Sequence, residues 1–160
     1  MVKGYSRVQI ALHWVVVLLV VAQLVTSESM GEAWEAVEEG GVPVVSAMVW
    51  AHVNAGIAVL LLVLWRIGLR LRRGAPPAPA GSALMQVAGR GSQFALYALL
   101  VLVPLSGLMA WFGGSQAAAE AHVLMKNIIL ILILLHVGVA IFHQFVLKDG
   151  LMDRMSRPEN

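Results

Sequence analysis

Cysteine is absent from this chain of 160 residues, and charge is scarce: Asp, Glu, Lys and Arg make up only 12% of it, while 59% is hydrophobic. The missing thiols exclude a disulfide scaffold and any thiolate metal site. A soluble domain carries about 25% charged residues, so half that fraction leaves too little polar surface to wrap a core in water. Lipid is therefore the expected solvent and partner for much of the chain. High hydrophobicity with a formal net charge of only +2 excludes disorder. The same small surplus, with no basic patch interleaved with aromatics, argues against nucleic-acid binding.

What the chain has instead is long apolar runs. Crossing a bilayer as a helix takes about 20 mostly apolar residues, and four segments qualify, at about 9–25, 47–67, 93–112 and 123–147. Little is left for another domain, so residues 1–160 read as one all-α, four-span transmembrane helix bundle. Gly74 to Gly81, rich in Pro and Ala, is a helix-breaking connector between spans two and three. Pro104 within span three marks an expected kink. The first span also has the basic start and apolar run of a signal peptide, but no Ala-x-Ala-like site closes it.

The few charges are sorted by position. Lys3 and Arg7 precede span one, Arg66, Arg70, Arg72, Arg73 and Arg90 surround the second connector, and Lys148, Arg154 and Arg157 follow span four. Short cytoplasmic segments retain positive charge, so this face, with both termini, is expected in the cytoplasm. Glu28, Glu32, Glu35, Glu38, Glu39 and Glu120 lie on the other face with Lys126, the only basic residue there. The acidic segment from Glu28 to Glu39 reads as a loop. Trp14, Trp50, Trp65 and Trp111 fall near span ends, as an aromatic belt places them.

Ionisable residues inside a membrane default to a functional reading. Here they are His13 in span one, His52 in span two, and His136 and His143 in span four. At about 1.5 Å per residue, His13 is about 9 Å above Arg7 and His143 about 7.5 Å above Lys148. His52 is about 21 Å above Arg66 and His136 about 18 Å above Lys148. Depth thus pairs His13 with His143 and His52 with His136. Two imidazoles per level are too few for a structural zinc site but suit the axial positions of a haem iron, so two stacked bis-histidine haems b are expected. Gly56 and Ala140 are small enough to admit a flat macrocycle. Simple interhelical hydrogen bonding is the plain alternative. A proton-conducting histidine chain is disfavoured because no intramembrane acid accompanies these residues.

The segment Tyr5-Ser-Arg-Val-Gln-Ile-Ala-Leu-His-Trp14 resembles the start of bacterial cytochrome b561 proteins. Ala51-His-Val-Asn-Ala-Gly56, Trp65-Arg-Ile-Gly-Leu-Arg-Leu-Arg72, the His136 and His143 pair, and Lys148-Asp-Gly-Leu-Met-Asp-Arg-Met155 resemble the same family. The resemblance covers all four spans. It implies a diheme protein of the inner membrane passing electrons between a periplasmic partner and the quinone pool, with a superoxide oxidase branch as the nearest functional analogy. By position it makes His13 and His143 ligands of the cytoplasmic-side haem, and His52 and His136 ligands of the periplasmic-side haem. Span three begins Gly89-Arg-Gly-Ser-Gln-Phe94 where the family often has a His-rich stretch, and His143-Gln144 replaces a common His doublet.

His122 lies fourteen residues before His136, about 21 Å higher, and is expected at the periplasmic surface. With Lys126 one turn later it forms a candidate cationic site for an anionic substrate or a quinone. Arg7 and Arg66 are candidate partners of haem propionates, with snorkelling to headgroups as the plain alternative. The acidic face suits a basic periplasmic redox protein better than superoxide. A cofactor-free tetraspan scaffold and a histidine-based metal transporter are the readings from other classes.

Overall fold

The computed structural model describes residues 4–74, 76–77 and 82–158, so Lys3 and most of the Pro-rich connector lie outside the described residues. Four long helices dominate: α1 (Arg7–Glu38), α2 (Ala47–Arg73), α3 (Ala83–Gly113) and α4 (Gln116–Phe142). α4 runs on into a π-helical turn, His143–Leu147, and a short 3-10 turn follows at Met152–Met155.

Each long helix starts at a serine. The hydroxyls of Ser6, Ser46, Ser82 and Ser115 accept from the backbone N–H three residues on, satisfying one of the donors that a helix start leaves open. Gln9 returns the bond to the Ser6 N–H and completes a capping box. Gly114, in the left-handed region at φ 61°, ends α3 and permits a turn of only Gly114 and Ser115 before α4.

All four helices are long and apolar enough to cross a membrane. The bundle buries little of itself: Val16, Val59 and Val63 form a small core packed by Tyr97, Leu100 and Val101. Leu18 and Leu134 remain 68% and 72% exposed, an outward apolar surface that suits lipid rather than water.

The helices overrun the apolar windows. α1 continues to Glu38, so Glu28 to Glu38 is helix rather than the expected loop. No proline interrupts this stretch, and Glu is a good helix former. Tertiary contact completes it: Trp34 packs on Ala110, Ala118 and Ala119 of α3 and α4. Glu38 accepts from the Gln116 side chain at 2.7 Å. Pro104 sits buried inside a continuous α3.

The chain end returns to the opposite, basic end of the bundle. Trp14 Nε1 donates to the Met155 carbonyl at 3.0 Å, and Arg154 donates to the Pro77 carbonyl at 2.7 Å. The start of α1, the α2–α3 connection and the C-terminal turn thus share one end.

Candidate functional site

Two pairs of imidazoles come close together across neighbouring helices. The ring centroids of His13 and His136 are 6.5 Å apart, and those of His52 and His122 are also 6.5 Å apart. These are not the pairs expected from depth. His13 meets His136 instead of His143, His52 meets His122 instead of His136, and His122 is half-buried rather than at the surface.

Arg7, Arg66 and Lys148 do not share one level, so depths counted from them are not on one scale. Arg66 is not at the boundary: α2 continues to Arg73, and the Arg66 guanidinium acts electrostatically on both His13 and His136. It therefore marks the level of that pair. Fourteen residues of α2 separate Arg66 from His52, and fourteen of α4 separate His136 from His122, both about 21 Å. Along α1, Thr26 lies thirteen residues above His13, about 20 Å, and it touches His52. Measured from one common pair, the helices agree.

The upper pair is held by polar atoms on its outer side. Thr26 Oγ1 lies 3.1 Å from His52 Nδ1, and the same hydroxyl reaches the Ala22 carbonyl at 2.8 Å. With its hydrogen spent on that carbonyl, the hydroxyl accepts from His52 Nδ1–H. His122 Nδ1 donates to the Val103 carbonyl at 2.8 Å, with Ser106 Oγ at 3.4 Å. Both rings thus carry the proton on Nδ1 and keep Nε2 free, as metal-ligating imidazoles commonly do. Gln23 adds a bond to the His52 carbonyl at 2.8 Å, and Gly56 leaves room for its amide, since a Cβ there would stand 3.2 Å from Gln23 Nε2. A cavity of about 270 Å³ is lined by His52, His122, Gly56, Gly107, Trp34 and Trp111 among others. Trp111 thus faces this cavity rather than belonging to the lipid belt, where Trp14, Trp50 and Trp65 remain exposed.

These residues fit haem. A metal–imidazole bond of about 2 Å on each side, plus roughly 1 Å from each nitrogen to its ring centre, sets opposed centroids about 6 Å apart. Both pairs match that spacing. Among the described residues no cluster of three or more His, Asp or Glu could hold a bare metal ion. At the lower pair, His13 is half-buried and His136 exposed, and Arg66 has a buried Nη1 without a hydrogen-bond partner among the described residues. An anionic group is the natural complement of that guanidinium. Arg7, by contrast, is exposed at the start of α1.

His143 is buried in the π-helical turn and donates through Nδ1 to Asp149 Oδ2 at 2.6 Å. Asp149 also accepts from the Leu151 N–H at 3.1 Å. The hydrogen bond from His143, with smaller help from the Leu151 N–H and the charge of Arg154, holds the Asp149 carboxyl below its ordinary value. A depressed carboxylate stabilises the fold above its unfolded pKa of about 4, and that contribution is lost as pH falls through the lower folded value. Proteolytic protection of the C-terminal turn is expected to hold at pH 6 and to fall as the pH drops below about 4. In Asp149→Asn this pH dependence should disappear; an unchanged profile would remove the carboxylate from the account.

Sequence reasoning missed Gln23, Thr26, Ser106, Gly107, Trp34 and Asp149. Polar side chains within apolar spans were the available signal for the first three; the others show only in three dimensions.

Four apolar helices long enough to span a membrane and carrying two close imidazole pairs define the class of transmembrane b-type cytochromes. Residues 4–158 match the family described as prokaryotic cytochrome b561, and the chain belongs to that family. It is 43% identical over 155 residues to cytochrome b562 of Cereibacter sphaeroides, covering 97% of this chain and 96% of the relative. It is 31% identical over 178 residues to the probable superoxide oxidase CybB of Yersinia pestis, covering 96% of each. Identity to cytochrome b561 homolog 1 of Escherichia coli K12 is 30% over 173 residues, covering 94% of this chain and 96% of the relative. The protein is thus a multi-pass inner-membrane electron carrier, and membership of the family implies haem b.

Proposed function

We propose that the chain binds two haems b, one between His13 and His136 and one between His52 and His122, and relays single electrons along the bundle. The observation that carries this reading is the same 6.5 Å separation in both imidazole pairs, stacked about 21 Å apart along the helices. Haem supplies reversible one-electron iron chemistry when bound. Thr26 and the Val103 carbonyl fix the tautomer and orientation of the upper ligands. Arg66 receives a propionate of the lower haem through its Nη1, which is buried without a hydrogen-bond partner among the described residues. The basic end lies in the cytoplasm by retention of positive charge, and the upper haem serves the periplasmic side.

The chemistry favoured by the relative named as a probable superoxide oxidase is oxidation of superoxide coupled to ubiquinone reduction. Each superoxide gives up one electron and leaves as dioxygen; ubiquinone takes two electrons and two protons. One observation favours a second reading at the periplasmic end. Glu28, Glu32, Glu35 and Glu39 are all exposed, and their spacing places them along one side of the α1 extension. That stripe repels superoxide and suits a basic redox protein as donor.

Purification in mild detergent, with oxidised and reduced spectra and a haem-to-protein ratio, tests the cofactor reading, with two haems per chain expected. A colourless preparation from haem-sufficient cells, or a ratio of one, would overturn it. Enzymatically generated superoxide should then drive ubiquinol formation above a haem-free control. No excess rate, combined with reduction by a cationic cytochrome that slows steeply with salt, selects the docking reading.

A further inference from the structure

Lys126 was expected at a membrane surface, yet it occupies the wall of the upper cavity, half-buried, together with His52 and His122. It stands one turn beyond His122 on α4, on the side toward the middle of the bundle. The start of α4 at Gln116 is ten residues away, about 15 Å. Of the acids of that end, Glu38 and Glu120 both accept from Gln116, and Glu28, Glu32, Glu35 and Glu39 are exposed. Among the described residues no carboxylate lies within ion-pair distance of Lys126. Its ammonium acts electrostatically on both His52 and His122. An unpaired cation in an apolar wall is expensive and marks function by default.

We propose that Lys126 raises the midpoint potential of the haem held by His52 and His122, favouring its reduced state. This rests on the assignment of those two residues as ligands. His52 of α2 and His122 of α4 would hold this haem between the two helices. Lys126, one turn further along α4, about 6 Å, lines the same cavity and would stand beside a haem held there. The propionates of this haem have water within reach at the acidic end, since Glu28 is two residues past Thr26, the neighbour of His52. Carboxylates avoid the bilayer centre, so the propionates would turn to that end, and Lys126, on the side toward the middle of the bundle, would stay unpaired with them. Reduction of the ferric site by one electron lowers its net charge by one. A fixed cation stabilises that state, and an apolar wall screens it little.

Spectroelectrochemical titration of the purified holoprotein tests this, comparing wild type with Lys126→Met and Lys126→Arg. Both variants should retain two haems. In Lys126→Met one midpoint should fall so that the reduced-to-oxidised ratio at fixed potential drops about tenfold, or about 59 mV for a one-electron couple. Lys126→Arg should keep the wild-type value, and the midpoint that moves should belong to the haem missing from His122→Ala. Unmoved midpoints in Lys126→Met, an equal shift in Lys126→Arg, or loss of the haem from Lys126→Met alone would each overturn the proposal. In those cases a His122→Ala protein with one haem leaves the ligand assignment standing. If His122→Ala keeps both haems, the assignment falls and the proposal with it.

Discussion

His52→Ala and His122→Ala should each remove the same single haem, and His13→Ala and His136→Ala should each remove the other. His143→Ala should keep both. The expectation follows from opposed rings 6.5 Å apart in each pair, against a His143 whose Nδ1 is committed to Asp149 at 2.6 Å. Removing one of the two imidazoles that would hold a haem should halve the bound haem, a change read directly from the haem-to-protein ratio. The spectra of the two half-loaded forms should sum to the wild-type spectrum. Matching losses in His13→Ala and His143→Ala would restore the pairs drawn from charge-based depth and would contradict the ring geometry.

Gly107→Val should empty the upper site without touching either upper ligand in the sequence. A Cβ at Gly107 would stand 3.0 Å from both Cε1 and Nδ1 of the His122 ring. That ring cannot retreat freely, because Nδ1 is bonded to the Val103 carbonyl at 2.8 Å. Valine adds two further carbons in the same space. Overpacking of a filled site costs about 1–3 kcal/mol, and here it acts on the ring whose aim decides ligation. The lower haem should remain. Gly89→Ala is the control: nothing lies within 4 Å of a Cβ there, so both haems should be retained. Equal haem content in Gly107→Val and wild type would show that His122 is not a ligand or that its ring moves without penalty.

The legible part of this protein was its partition between lipid and water. Scarce charge and long apolar runs announced four spans, and the basic residues that flank them gathered at one end of the structure. The histidines were legible as a set, because an imidazole inside an apolar run stands out against its neighbours. Their partners were not legible. Depth read from Arg66 treated it as a boundary residue, whereas it sits a helix turn or more inside, level with His13 and His136. The fourteen residues between His122 and His136 place His122 at the far end of span four, yet the extension of α1 through Trp34 covers that end of the bundle. Thr26, Gln23 and Ser106 are ordinary helix residues until the neighbouring helix brings a histidine against them.

The sequence by itself determined the solvent, the number of spans and the residue type that marks the site, since hydropathy and spacing along one helix are local properties. The pairing of the imidazoles, the room left by Gly107 and the placement of Lys126 beside the upper pair belong to the tertiary structure. Each depends on how far one helix slides along another, a register set by contacts between residues distant in the chain.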